Sequence, residues 1–252
     1  MKIKFIGLTD KGRIREHNED SYLAGDKIYT SLDRGGEDSE VEIEVQNTPI
    51  LFAVADGMGG HEGGEVASSM TLELLREKCS TIKNVIHKSI LENLINEIHK
   101  EVNENGLQMN KPDMGTTLSG CIISREQFFI FNVGDSRVYR FRGGYLQQIT
   151  RDHSLKSELN IDAPKNIITN CIGGGLDEIY VDIFDYSTKM NTGDGFLIIT
   201  DGITDSLNED DIEKCLNEQH ENCAEFVHSL VLLSLDQGSK DNVTAIYLKI
   251  TP

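Results

Sequence analysis

The chain has little positive charge for its size. Its 252 residues include 24 lysines and arginines against 42 aspartates and glutamates, which gives a formal net charge of −18. Nucleic acids and anionic lipid surfaces both attract proteins through a positive surface. The charge balance therefore argues against a nucleic-acid binder and against docking on a membrane.

Paired cysteines and long apolar runs are also missing. The cysteines are Cys79, Cys121, Cys171, Cys215 and Cys223. Their odd number, their wide spacing and the absence of a C-x-x-C motif disfavour a disulfide framework or a zinc site. The first residues, Met1–Gly7, lack the apolar stretch of a signal peptide, and no run approaches the roughly 20 apolar residues of a membrane span. We therefore expect a cytoplasmic protein with reduced, mostly buried thiols.

The chain does have the length and the apolar residues for one large core. Hydrophobic residues make up 38% of it and charged residues 26%, as in globular proteins. No internal repeat, low-complexity tract or linker divides the sequence. These observations predict a single domain over residues 1–252.

Apolar patterning predicts many strands and few helices. Strands are predicted at 2–9, 20–30, 41–55, 117–124, 127–134, 137–142, 145–149, 178–186, 195–200 and 242–250. Helical spacing is found through Ala67–Leu75, through Ile86–Val102, after the predicted cap Asn208 and over 222–235. We expect a polar loop at 31–40, a single antiparallel meander between 117 and 149, and antiparallel sheets with helices packed outside.

The strand that contains Phe128–Phe131 is apolar on both faces. A strand of this kind is covered on both sides. We expect a sheet on one side of it and helices or another sheet on the other.

Four aspartates stand where an apolar run meets a glycine or an asparagine. Asp56, Asp135 and Asp201 follow strand-like runs, and Asp241 precedes the last one. An ionised carboxylate beside a buried strand is costly to desolvate, so these positions do not serve folding. Four such carboxylates indicate a site for hard cations, which prefer oxygen ligands. The pattern points to metal-assisted chemistry on a substrate that carries phosphate.

Each of these positions has a simpler interpretation. An Asp-Gly pair is most often a turn, and for Asp56 or Asp201 alone the turn would be favoured. Asp135, within Gly-Asp-Ser, also fits a hairpin corner. The shared context of the four aspartates favours the metal role.

Seven segments follow one another in a characteristic order. They are Arg15–Asp20, Ala55–His61, Gly63–Ser68, Gly115–Thr117, Asn132–Arg137, Thr200–Gly202 and Ser239–Thr244. In this order the chain resembles a bacterial member of the metal-dependent protein phosphatases, the type 2C or PPM family. The resemblance extends over residues 7–250, nearly the whole chain.

The resemblance implies a fold and a site. The fold is α+β, a four-layer α-β-β-α sandwich with two antiparallel sheets flanked by helices. Two Mn²⁺ or Mg²⁺ ions are bound at one end of the sandwich. The implied metal-site residues are Asp20, Asp56, the Gly57 carbonyl, Asp201 and Asp241. Asp135, together with Asp201, is implied to hold a weaker third ion.

Physical arguments agree with that site. Two like charges 4 Å apart repel by about 4 kcal/mol at an effective dielectric near 20. Converging carboxylates must therefore protonate, spread apart or bind cations. Gly57 suits a coordinating carbonyl because glycine lets the backbone approach an ion closely.

Two arginines compete for the role of phosphate ligand. A guanidinium grips two phosphate oxygens and is always charged, which fits either Arg13 or Arg15. Sequence spacing does not choose between them, whereas the family pattern selects Arg15.

The implied reaction is that of a protein serine/threonine phosphatase. A water whose pKa is lowered between two cations attacks the phosphorus of phosphoserine or phosphothreonine. We expect phosphorylated proteins as substrates, a cognate serine/threonine kinase system and a monomeric enzyme. Two alternatives stay open: a non-catalytic pseudophosphatase that binds phosphoproteins, and another two-metal phosphoester hydrolase such as a nuclease. No metal aspartate is missing, and the net charge of −18 disfavours the nuclease.

One segment and two positions depart from the family pattern. The flap at about 152–165 is short, so we expect modest preference among phosphopeptides. Asn170 stands where the family often has an arginine. Met58 stands where animal-type relatives carry a histidine, which leaves the general acid unassigned, and His61 is a candidate with an equally good claim to a structural role.

Overall fold

A computed structural model describes residues 1–30, 34–37, 39–58, 63–82, 86–159 and 167–252. The strands in these ranges are β1 (Lys2–Asp10), β2 (Asp20–Gly25), β3 (Lys27–Thr30), β4 (Arg34–Gly36), β5 (Val41–Glu44), β6 (Ile50–Met58), β7 (Gly115–Thr116), β8 (Leu118–Ile123), β9 (Phe128–Val133), β10 (Arg137–Arg142), β11 (Tyr145–Gln148), β12 (Ile172–Gly173), β13 (Asp182–Asp185), β14 (Gly195–Ile199) and β15 (Val243–Thr251). The helices are α1 (Gly63–Ser80), α2 (Lys88–Gln108), α3 (Leu155–Leu159), α4 (Asp201–Thr204), α5 (Glu209–Asn217) and α6 (Cys223–Asp236).

The strands form two antiparallel sheets. The first has the order β11-β10-β14-β15-β1-β4, with β5 also paired to β1. The second has the order β12-β7-β6-β8-β9-β13, and β2 joins β6 to β3. The first and last strands of the chain, β1 and β15, pair along their whole length, which brings residues near 10 beside residues near 243.

Three apolar layers hold the sheets and helices together. Residues of both sheets, among them Phe5, Phe52, Phe128 and Phe196, form the layer between the sheets. A second layer lies between the second sheet and helices α1 and α2, and a third lies between the first sheet and helices α5 and α6. Burial of each large apolar side chain contributes roughly 1.5–3 kcal/mol. This α-β-β-α arrangement confirms the predicted fold class.

Strand β9 has the two-sided burial that its sequence predicts. Phe128 and Ile130 belong to the layer between the sheets, whereas Phe129 and Phe131 belong to the layer under α1 and α2. Alternate residues of a strand point to opposite faces, so a continuous apolar run is buried on both.

The predicted single meander between 117 and 149 is wrong. β8 and β9 pair in the second sheet, whereas β10 and β11 pair in the first. The chain therefore crosses from one sheet to the other at Gly134–Ser136. Gly134 has φ +111°, a conformation that L side chains rarely adopt. Hydrophobic patterning marks strands but does not say which sheet a strand joins, and here the crossing places Asp135 at the end of the sandwich.

Other strand boundaries also differ from the prediction. The predicted strand at 20–30 is the hairpin β2–β3, which turns at Gly25 with φ +67°. The strand predicted at 41–55 divides into β5, which pairs with β1 in the first sheet, and β6, which pairs with β8 in the second. Within the predicted loop 31–40, residues 34–36 form β4, and residues 31–33 and 38 lie outside the described part of the chain.

Several local predictions are confirmed. Asn208 caps α5 in a capping box with Asp211, and α6 begins one residue after its cap Asn222. All five cysteines are free and buried. Among the described residues, no helix is long and apolar enough to cross a membrane.

Candidate metal and phosphate site

Two predicted metal-site aspartates face each other on neighbouring strands. Asp20 opens β2, and its register partner on β6 is Asp56. Asp20 is only 1% exposed. Like charges directly opposite one another destabilise an antiparallel pair, so this arrangement works against the stability of the sheet.

Thr244 of β15 and Thr200, which follows β14, orient the Asp20 carboxylate. The Thr200 and Thr244 hydroxyls donate to Asp20 Oδ2 at 2.9 and 2.6 Å. Asp20 Oδ1 is buried and has no hydrogen-bond partner. Both threonines lie in the segments that carry the family resemblance, but their contact with Asp20 joins residues 180 and 224 positions apart, and no local sequence signal reports it.

Asp56 lies within a strand rather than a turn. Its backbone N–H donates to Thr117 Oγ1 at 3.0 Å, and its carbonyl accepts from the Thr117 N–H at 2.9 Å. Gly57 follows at a close approach to α1, where a Cβ would collide with the Gly64 carbonyl oxygen. Only glycine fits there, which leaves the Gly57 backbone without a shielding side chain.

Asp201 is the first residue of α4, and only the cap residue Thr200 separates it from β14. The turn interpretation is therefore wrong for Asp201 as well as for Asp56. Asp201 Oδ1 is buried without a partner.

Asp241 faces an arginine. Arg15 Nη2 lies 2.5 Å from Asp241 Oδ2, and the Arg15 side chain is 51% exposed. Arg15, Asp201 and Asp241 line an open cavity of about 550 Å³. Arg13, the rival arginine, instead pairs with Asp236 at the end of α6.

Asn242 forms hydrogen bonds with the backbone of the loop that carries Arg15. Its side-chain oxygen accepts from the Glu19 N–H at 2.9 Å, and its amide nitrogen donates to the carbonyls of Lys11 and His17 at 2.8 and 2.9 Å. The loop that carries Arg15 is thereby fastened beside Asp241. Sequence patterning assigned Asn242 no role.

Asp135 lies at the crossing between the sheets and is buried. The neighbouring Ser136 hydroxyl is 2.7 Å from Thr117 Oγ1, and the Ser136 carbonyl accepts from Ser119 at 2.8 Å. Asp135 Oδ1 has no hydrogen-bond partner. Because β9 and β10 lie in different sheets, a hairpin corner is wrong as the structural context of this residue.

Burial and mutual repulsion raise the pKa values of four carboxyl groups, those of Asp20, Asp56, Asp135 and Asp201. Burial is the main cause for each. The pKa is raised to about 7 for Asp20, to about 8 for Asp135 and to about 6 for Asp201. Burial also raises the pKa of Asp56, and the charges of Asp20, Asp201, Asp241 and Asp135 add to this. The five carboxyl groups thus lie within electrostatic range of one another.

The donor set fits a hard divalent cation. Asp20, Asp135 and Asp201 each keep one buried carboxylate oxygen without a partner, and a buried unpaired acceptor is costly. Oxygen ligands of this kind suit Mg²⁺ and Mn²⁺. The described ranges contain no group of three or more His, Cys, Asp or Glu side chains already gathered at metal-binding distances. Mutual repulsion keeps the negatively charged carboxylates apart, and a bound cation would favour their closer approach.

Some predicted features lie outside the described residues. His61 lies in the range 59–62, and residues 160–165 of the short flap lie in the range 160–166, both outside the described part of the chain. Met58 is the last residue of β6. In the described part of the flap, residues 155–159 form α3.

Comparison with known proteins identifies the family. A sequence profile of protein phosphatase 2C matches residues 37–231. The serine/threonine phosphatase stp of Listeria monocytogenes serotype 4b (strain F2365) is 32% identical over 259 residues, covering 96% of this chain and 93% of that protein. The chain belongs to the protein phosphatase 2C family, whose members are metal-dependent phosphoprotein phosphatases.

Solved structures agree with this membership. The serine/threonine phosphatase of S. agalactiae superposes with a TM-score of 0.81 at 26% identity, covering 98% of this chain and 99% of that one. Serine/threonine phosphatase Stp1 from Staphylococcus aureus gives a TM-score of 0.81 at 28% identity, covering 98% and 95%. The two-sheet, four-layer architecture is thus shared with enzymes of known structure.

Proposed function

We propose that this chain hydrolyses phosphoserine and phosphothreonine in proteins with the help of two divalent cations. The observation that carries the proposal is the set of buried, unpartnered carboxylate oxygens on Asp20 and Asp201 beside the exposed Arg15. The names of the similar proteins, which are serine/threonine phosphatases, support the same substrate class.

In this proposal Asp20, Asp56, Asp201, Asp241 and the Gly57 carbonyl hold two Mn²⁺ or Mg²⁺ ions. When bound, the ions supply a water of lowered pKa and neutralise charge on the phosphoryl oxygens. Thr200 and Thr244 contribute by engaging Asp20 Oδ2, which leaves Oδ1 free for a cation. Asp135, with Asp201, holds a weaker third ion.

Arg15 binds the phosphoryl group of the substrate. Its guanidinium matches two phosphoryl oxygens, and it lines the open cavity beside Asp201 and Asp241. Arg15 must first leave Asp241, with which it pairs at 2.5 Å. The pair is half exposed, so this exchange costs little.

The wider setting is also a proposal. We infer one catalytic domain over residues 1–252 that acts as a monomer in the cytoplasm, opposite a serine/threonine kinase. Support comes from apolar layers that draw on both ends of the chain, as in the pairing of β1 with β15.

One assay separates this function from its alternatives. The purified protein is incubated with p-nitrophenyl phosphate, a phosphothreonine peptide and single-stranded DNA, in Mn²⁺ and in EDTA. We expect hydrolysis of the first two substrates in Mn²⁺ only. Phosphopeptide binding without hydrolysis would indicate a pseudophosphatase, and DNA cleavage would indicate a nuclease.

A pair of aspartate variants tests the site itself. Asp56→Asn removes a proposed ligand, so kcat should fall on the order of a thousandfold or more. Asp236→Asn is the matched control, because Asp236 is exposed and pairs with Arg13. Near wild-type turnover of Asp56→Asn, or full activity of a verified metal-free preparation, would overturn the assignment.

A further inference from the structure

A buried histidine holds the backbone next to Asp135. His153 has no exposed surface, and its Nδ1 accepts a hydrogen bond from the Gly134 N–H at 3.1 Å. The His153 N–H in turn donates to the Gly134 carbonyl at 2.9 Å. One residue thus engages both polar backbone groups of Gly134, the residue before Asp135.

Asn170 and Gly134 together determine which nitrogen of His153 carries the proton. The Tyr180 N–H donates to Asn170 Oδ1 at 3.4 Å, and Asn170 Nδ2 donates to the Tyr180 carbonyl at 2.7 Å, which fixes the amide orientation. The same Nδ2 lies 2.8 Å from His153 Nδ1. Two donors, Gly134 and Asn170, therefore face Nδ1, so it is the unprotonated nitrogen. The proton is on Nε2, which donates to Asp182 Oδ2 at 3.3 Å.

Burial supports the neutral form of this histidine. It lowers the pKa of His153 because the charged ring is poorly solvated there, and the opposing effect of Asp182 is smaller. A proton on Nδ1 would also point at the N–H groups of Gly134 and Asn170, which are donors and cannot accept it.

Further contacts hold the same corner to the same short segment. Arg137 Nε and Nη2 donate to the two carboxylate oxygens of Asp152 at 2.8 and 2.6 Å. Asn132 Nδ2 donates to the carbonyls of Gly134 and Arg151 at 3.1 and 2.9 Å. The corner around Asp135 is therefore clamped by consecutive residues 151–153.

We propose that His153 is a positioning residue: in the Nε2–H tautomer that Asn170 supports, it holds Gly134 so that Asp135 presents its unpartnered Oδ1 to the third, weaker cation. The inference rests on the proposed metal role of Asp135. Residues that orient a ligand typically account for about tenfold to a hundredfold in metal affinity or activity.

The chain supplies a matched control for this test. His99 is also buried, and its Nδ1 accepts from a glycine N–H, that of Gly173, at 3.1 Å. Its Nε2 lies 3.1 Å from the Leu176 carbonyl. His99→Leu therefore removes a comparable histidine–glycine hydrogen bond from a different corner of the fold.

The first measurement is a calorimetric titration of Mn²⁺ on the full chain. His153→Leu should keep the tight sites and weaken the third site about tenfold to a hundredfold. His153→Asn should restore most of that affinity, because an Asn side-chain oxygen can take the acceptor place of Nδ1. His99→Leu should leave the third site unchanged. Unchanged third-site affinity in His153→Leu, or equal weakening in His99→Leu, overturns the proposal.

The second measurement needs no cation and no substrate. Nitrogen-15 NMR of the protein in EDTA should show His153 with its proton on Nε2, and Asn170→Ala should weaken this preference and shift the Gly134 amide signal. A proton on Nδ1 overturns the proposal. If His153→Leu fails to fold, Asn170→Ala and His153→Asn carry the titration, and an unchanged third site in Asn170→Ala overturns the role of Asn170.

The outcomes also separate this inference from the proposed function. A wild-type protein with no third site would remove the metal role of Asp135 and this inference with it, while the two tight sites and the phosphatase activity stand. A third site that is present but indifferent to His153 removes this inference alone.

Discussion

At the residue scale, the two arginines that sequence spacing left equivalent differ in their surroundings. Arg15 pairs with Asp241 and lines the cavity that Asp201 and Asp241 share, whereas Arg13 pairs with Asp236. Both side chains are more than half exposed, so neither pair adds much to stability. Their variants therefore compare function with little interference from folding.

Arg15→Ala should raise KM for p-nitrophenyl phosphate and weaken inhibition by inorganic phosphate, with a smaller fall in kcat. A charged hydrogen bond contributes about 1.5–3 kcal/mol, which corresponds to roughly tenfold to a hundredfold in binding. Arg13→Ala is the control and should change KM little. Steady-state kinetics with both variants decides the matter, and a larger effect from Arg13→Ala would mean that the phosphate ligand has been misassigned.

At the scale of elements, the crossing from β9 to β10 determines where Asp135 lies. It depends on Gly134, which combines φ +111° with a close approach to Thr117. A Cβ at Gly134 would lie 2.7 Å from the Thr117 side chain. The crossing thus requires a residue without a side chain for two separate reasons.

Gly134→Ala should destabilise the protein by more than Gly193→Ala. Gly193 has φ +95° but nothing near its missing Cβ, so alanine there meets backbone strain alone, of order 1–3 kcal/mol. Urea unfolding of both variants measures the difference, which reports the clash with Thr117. Equal destabilisation of the two variants would show that the Thr117 side chain moves aside without a free-energy cost.

At the scale of the whole molecule, the sandwich gathers buried carboxyl groups at one end, and this gives the cation-free protein a distinctive pH dependence. Burial raises the pKa of Asp20 to about 7, of Asp135 to about 8 and of Asp201 to about 6. The unfolded value for aspartate is about 3.9. A group whose pKa is raised by folding stabilises the folded state below its unfolded pKa, and this contribution disappears as the pH rises through its folded pKa.

In EDTA, the free energy of unfolding should therefore fall as the pH rises from about 4 towards 8. Asp56→Asn should flatten this slope, because it removes one of the repelling charges, whereas Asp236→Asn should not. Added Mn²⁺ should reverse the trend, because a cation favours the ionised carboxylates. Urea unfolding across this pH range tests the prediction, and a rising profile in EDTA would contradict it. The buried His153 has the opposite effect on the pH dependence. Because burial lowers its pKa, the contribution of His153 to the free energy of unfolding is lost as the pH falls below about 6.5.

Sequence by itself determined the features that depend on neighbouring residues. The four longer helices, most strands and the Asn208–Asp211 cap follow from periodicity and local hydrogen bonding over three or four positions, whereas the short helices α3 and α4 were not predicted. The ordered segments also predicted the family, which the comparisons confirm, and the fold class that the two sheets confirm. The ligand roles of Asp20, Asp56, Asp135, Asp201 and Asp241 stay predictions.

Only the tertiary structure decided which strands share a sheet and which side chains meet across the chain. Patterning cannot report that β10 leaves the meander for the other sheet, because an apolar strand is equally well buried in either. Nor can it report that Thr200 and Thr244 meet Asp20, or that His153 meets Gly134. These contacts depend on how distant segments pack, and packing is set by the whole core rather than by any local stretch of residues.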